Sequence, residues 1–193
     1  MTTLDLVDRR APMPAAPMKY RQDGAVDWGQ MWDTFCALAQ EGGPPHRGSM
    51  LWAQEDADVT APGYAFAVAE IVRGIGEVSG LSAAAAAPGW IAVQCQTAAM
   101  ATWLAEAIVA ENVQARADGT TLLVPVGDYF SLKGEIKNVI TAVAKTTHYW
   151  GEHVPAEVKQ ALWLQTTLKE WQQRLRRRFR RNLGVCDTPR LNN

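Results

Sequence analysis

A chain of 193 residues that is 48% apolar is large enough for one packed domain with arms, and too apolar for wholesale disorder. It holds no apolar run near the roughly 18–20 residues that span a bilayer. Its first residues, MTTLDLVDRRAPMP, set acids and prolines where a signal peptide needs an apolar stretch, so a cytoplasmic protein is expected. Net charge is −1, but residues 1–173 carry 12 basic against 19 acidic residues, whereas 174–193 carry 7 against 1. An acidic body with a basic tail suggests a tail with its own partner, or one that folds back on the body.

Residues 1–26 read as a flexible Pro-rich arm, because APMPAAPMKYRQDG has three prolines and no apolar period. A helix is expected from Asp27, its N-cap, through VDWGQMWDTFCALAQ, ended by Gly42, Gly43 and Pro44. RGSMLWAQ reads as a short strand and EDADVTAPG as its exit loop. Thr60 and Pro62 suit a helix start, Val68, Ile71, Val72, Ile75 and Val78 form its buried stripe, and Gly80 lies just past its end.

AAAAAPG, residues 83–89, reads as a linker turn and WIAVQC as a strand. Thr97 caps a helix facing inward through Met100, Trp103, Leu104, Ala107 and Ile108. Asp118 and Gly119 between two extended runs signal a hairpin of type I′, and Pro125 makes its second strand an edge or ends it. Ser131 caps a long helix with the stripe Leu132, Ile136, Val139, Ile140, Val143, Thr147 and Trp150, broken by Pro155. A last helix carries Val158, Leu162, Leu168, Trp171, Leu175, Phe179 and Leu183 on one side.

This order implies an α+β fold. We expect a two-layer sandwich, with a small mixed sheet of about four strands and helices on one face, followed by a long basic C-terminal helix. The expected divisions are the arm (1–26), the globular domain (27–154) and the Arg-rich helix and tail (155–193).

Three constellations can carry function. The loop EGGPPHRGSM is bent and stiff. There Gly43 and Gly48 leave room for a ligand, Arg47 offers a fork for an anion, and His46 is a proton donor near neutral pH. The alternative is a rigid turn with both side chains in water. It lacks the lysine and following helix of a phosphate loop.

On the long helix, Asn138, Thr141, Lys145, His148 and Glu152 are spaced 3, 4, 3 and 4 and form one polar row opposite the apolar stripe. Such a row ordinarily faces water. Covered, it could bind a small polar molecule, with Lys145 as the anion contact and His148, like His46, a candidate acid or base.

The third constellation is RLRRRFRR. Arg174, Arg176, Arg177, Arg178, Arg180 and Arg181 surround Leu175 and Phe179, a composition suited to docking a protein or to neutralising the phosphates of a nucleic acid.

Metal ligation is not expected. CxxC is absent, and His148 and His153 are five apart, which on a straight helix separates them by about 140°. Cys95, at a strand–helix junction, is a candidate thiolate or a small core residue. Glu55, Asp56 and Asp58 are a cation loop or merely solvated. No motif names a cofactor.

The leading expectation is a non-catalytic accessory or assembly subunit. It would act through its basic helix and N-terminal arm with a protein partner or in a homo-oligomer. The alternatives are a small-molecule enzyme or binder at the GGPPHRG loop, and nucleic-acid binding by the tail.

Overall fold

The computed structural model describes residues 18–31 and 48–182, with side chains to 168 and at 171–172. The chain divides into two compact units, Met1–Pro155 and Ala156–Asn193. The first is an α+β fold. Its elements are α1 (Pro62–Ser79), β1 (Ala83–Ala85), β2 (Trp90–Gln94), α2 (Ala98–Ala110), β3 (Arg116–Asp118), β4 (Thr121–Pro125) and α3 (Lys137–His148). The second unit is built on α4 (Ala156–Asn182). No helix among the described residues is long and apolar enough to cross a membrane.

The sheet runs β1-β2-β4-β3, and every pairing is antiparallel. The sheet is therefore antiparallel and not mixed; a parallel pairing, Leu51 with Val113, is an isolated bridge outside it. RGSMLWAQ therefore forms one bridge and not a strand. Beyond it the amide of Ala53 donates to the side chain of Gln114, which interrupts the ladder. The segment instead crosses the start of β2. Gly89 (φ +83°) lets it pass, because a Cβ there would stand 2.6 Å from the Gln54 carbonyl oxygen.

β1 corrects a second expectation. Alanine favours strands poorly, yet Ala83–Ala85 pairs with Ile91–Val93, because β2 presents a free ladder edge. The hairpin forms one residue later than expected. Asp118 pairs with Thr121, so Gly119 and Thr120 are the central residues. Only Gly119 has positive φ (+55°), the pattern of a II′ turn. β4 ends at Pro125 and lies inside the sheet.

Ile91 and Val93 of β2 alternate into the core with Leu122 and Val124 of β4. They share one apolar cluster with Ile71 and Ile75 of α1, Leu104 and Ile108 of α2, and Val139, Ile140 and Val143 of α3. α1 and α2 lie against the sheet, and α3 packs on both of them. Gly74 of α1 permits that approach, since a Cβ there would meet Ile140 Cδ1 at a clashing distance.

The helix ends follow their sequence signals. Pro62 opens α1 and Gly80 (φ +68°) closes it. The Thr97 hydroxyl accepts from the Met100 amide at 3.1 Å. α3 differs from a plain helix. Wide π-type turns flank it at Leu132–Ile136 and Tyr149–His153, with hydrogen bonds Ile136 N to Ser131 O and Val154 N to Tyr149 O. At the first of these, the Glu135 carboxylate accepts from both the amide and the hydroxyl of Ser131, so the Ser131 side chain does not itself cap a helix amide.

Residues 18–26, expected to be arm, lie on the body. Tyr20 and Val26 form an antiparallel bridge, and Val26, Trp28 and Met31 are buried. Asp27 caps the helical turn 28–31 by accepting from the Gln30 amide. The Trp28 indole donates to Glu70, and Arg21 pairs with Glu77 at 2.9 Å. Arg73 joins Glu70 to Glu77, completing a polar seam along α1. The Pro-rich composition of the arm gave no sign that Val26 would be buried or that Arg21 would reach Glu77. Residues 1–17, and the rest of the helix expected to run to Gln40, lie outside the described residues.

Candidate functional site

α3 is the element on which the polar candidates converge. Asn138, Thr141 and Lys145 were expected to face water, but all three are buried, at 5–7% exposure. Helical periodicity identified the apolar stripe correctly. It could not reveal that the opposite face is covered as well.

Each end of this row has a local cause. The last turn of α2 closes through Asn112 in the left-handed conformation (φ 59°). The Val113 amide reaches Ile108 O and the Asn112 amide reaches Val109 O, the paired bonds of a Schellman ending. That closure turns Glu111 toward α3, where its carboxylate accepts from Lys145 Nζ at 2.5 Å. Their side chains are only 12% and 8% exposed, so the pair is shielded from solvent. Thr141 donates to its own helix at Lys137 O (2.6 Å). Lys137 is buried too, and desolvation pulls its ammonium pKa below the ordinary lysine value.

The chemical consequence is that Lys145 has its charge matched and Thr141 has its proton committed. The anion contact expected of Lys145 would therefore have to compete with Glu111 for its ammonium. His46, Arg47 and Gly43 lie outside the described residues. Gly48 is exposed with nothing within 4 Å of a Cβ, so no close approach demands glycine there.

Past Lys145 the row emerges from the core. The His148 side chain is 17% exposed and its Nδ1 stands 3.7 Å from Glu152 Oε1, whose side chain is 70% exposed. The π turn that follows changes the geometry expected of a straight helix. His148 and His153 do not diverge, because winding with i→i+5 bonds stacks residues five apart. Their ring centroids are 5.2 Å apart, and Tyr149 lies 5.1 Å from His153. Gly151, in the middle of that turn, was the one available signal.

The remaining candidates are structural. Glu55 accepts from Arg116 at 2.9 Å and from the Trp90 indole at 3.2 Å, and Arg116 stacks over the Trp90 ring at 4.3 Å. Hydrogen bonds from the Thr60 hydroxyl and amide hold Asp58 below the usual carboxylate pKa, and Asp58 N donates to Asp128. These acids shape a loop.

Cys95 is buried, and desolvation raises its thiol from 9.0 to about 11. It is a core residue and not a thiolate. Alkylating reagents at pH 8 are expected to spare Cys95 in the native protein and to label it in urea, as peptide mass spectrometry would read. Because its folded pKa is raised, the unfolded thiol ionises first. Cys95 therefore removes stability as pH climbs from about 9 toward 11.

No known protein family matches this chain. Comparison with curated proteins likewise finds no significant match.

α4 forms its own unit. Val158, Trp163, Leu164, Leu168 and Trp171 are 44–61% exposed, a large apolar surface for one helix. The backbone is helical to Asn182, so it carries Arg174, Arg176, Arg177, Arg178, Phe179, Arg180 and Arg181, whose side chains lie outside the described residues.

Proposed function

We propose that the protein is a non-catalytic assembly subunit, and that α4 docks with the α4 of a second copy. The observation carrying this reading is the exposure of Leu164 (51%), Leu168 (58%) and Trp171 (61%) on a 27-residue helix. An isolated helix gains most of its stability by burying an amphipathic face, so one with its apolar residues in water calls for a partner.

The spacing favours another helix. Ala161, Leu164, Leu168, Trp171 and Leu175 fall at intervals of 3, 4, 3 and 4, the repeat of a two-helix seam. Charge favours an antiparallel pair. Side by side in parallel, the two arginine runs would repel each other. Antiparallel, the two runs lie at opposite ends, each near the partner's first turns, where Glu157 and Lys159 balance each other and no like-charge run is met.

Two features speak against the small-molecule alternative on α3, namely the Lys145–Glu111 pair and the Thr141 back-bond.

Solution mass of the full-length chain by light scattering provides the test. Wild type is expected at twice the chain mass, and Leu168→Glu and Trp171→Glu at the chain mass, with the first unit still folded and part of the α4 helicity lost along with its partner. A wild type that is already monomeric overturns the proposal. So does a dimer that survives both substitutions. If the monomer instead binds nucleic acid with an affinity that falls steeply with salt, the tail serves that partner.

A further inference from the structure

We infer that His148, Glu152 and His153 form a binding site for a divalent transition ion of the zinc class. The ligand atoms of these three side chains all lie within 4.8 Å of one another. Two ligand atoms on a tetrahedral zinc with bonds of about 2.0–2.1 Å sit about 3.3 Å apart. The His148 Nδ1 to Glu152 Oε1 separation, 3.7 Å, is already close to that value. The remaining adjustment falls on Glu152 and His153, which are exposed and can change rotamer without disturbing the core.

The donor set identifies the ion. Two imidazoles and one carboxylate suit borderline metals such as Zn²⁺ better than Mg²⁺ or Ca²⁺, which require mostly oxygen. Three protein ligands leave the fourth tetrahedral position to water or another small donor, as in zinc sites that keep an open coordination position.

The backbone supports the assignment independently of the distances. In a continuous α-helix His148 and His153 would point apart. The π turn Tyr149–His153, closed by Val154 N to Tyr149 O at 2.9 Å, brings them to the same side. The turn closes α3 ahead of Pro155, and its wide winding is what sets the two imidazoles side by side. His148 is the fixed member, half-buried at the end of α3, while the other two lie on the turn itself. The site belongs entirely to the first unit and is independent of α4 pairing.

The experiment is titration of the full-length chain, without a polyhistidine tag, with Zn²⁺ by calorimetry, and with Co²⁺ by visible absorption. One equivalent per chain and a tetrahedral cobalt spectrum are expected. His153→Ala and Glu152→Gln replace exposed residues, so circular dichroism should show the fold intact. Each should weaken Zn²⁺ binding by at least the roughly 10–100-fold that loss of an outer-sphere partner already costs a metal site. The proposal is overturned if wild type takes up no stoichiometric zinc. It is equally overturned if both variants bind zinc as wild type does, since the ion would then sit elsewhere.

Discussion

Glu111→Ala is expected to lower the unfolding free energy by about 3–5 kcal/mol, the cost of stranding one partner of a buried ion pair. Lys145 has an 8% exposed side chain, so without Glu111 its ammonium would lack a matching carboxylate and have little access to water. Urea denaturation followed by circular dichroism measures the change. The companion variant Glu111→Leu/Lys145→Met removes both charges and keeps the volume apolar. It is expected to match wild-type stability or exceed it, because the pair's attraction and its desolvation cost largely cancel. A loss below about 1 kcal/mol for Glu111→Ala would instead place the pair with solvent-exposed bridges.

Trp28→Ala should cost about 3–5 kcal/mol, as large-to-small changes at filled core positions do. Trp28 is 1% exposed and shares the core cluster with Val26 and Met31, so its loss frees the segment from α1 as well as opening a cavity. Trp28→Phe keeps most of the packing and forfeits the indole bond to Glu70. It should cost about 1 kcal/mol for the bond plus a small cavity term. Limited trypsin digestion separates local from global effects. Cleavage after Lys19 and Arg21 should accelerate in Trp28→Ala well before the body is cut. Equal rates in wild type and Trp28→Ala would mean that Trp28 does not hold the segment.

The parts of the fold governed by local chemistry were legible in the sequence. Pro62, Gly80, Thr97 and Asp27 act at helix ends through their own φ preferences or side-chain oxygens, which neighbouring residues suffice to specify. The hairpin was legible for the same reason, and its one-residue shift arose because a single glycine at positive φ satisfies a II′ turn. Parts set by distant partners were not legible. Ala83–Ala85 is a strand only because β2 offers an edge, and the run around Leu51 fails as a strand because the Gln114 side chain takes the next amide.

The polar row of α3 shows the same limit at the candidate site. Spacing located Asn138, Thr141, Lys145 and His148 on one side of the helix. Whether that side meets water depended on Glu111, 34 residues away from Lys145 and turned by the backbone of Asn112. His153 was dismissed by arithmetic valid for a uniform α-helix. The five residues that carry it are wound differently, and only Gly151 marked the departure.

Every side chain from Ile136 to Thr146 is buried, so α3 has no face turned outward. A helix with one free side can fray or detach while the rest of a protein holds. This one cannot loosen without disturbing α1, α2 and the apolar cluster together. Its amide hydrogens are thus expected to exchange only when the first unit opens, and to rank among the slowest of the described residues.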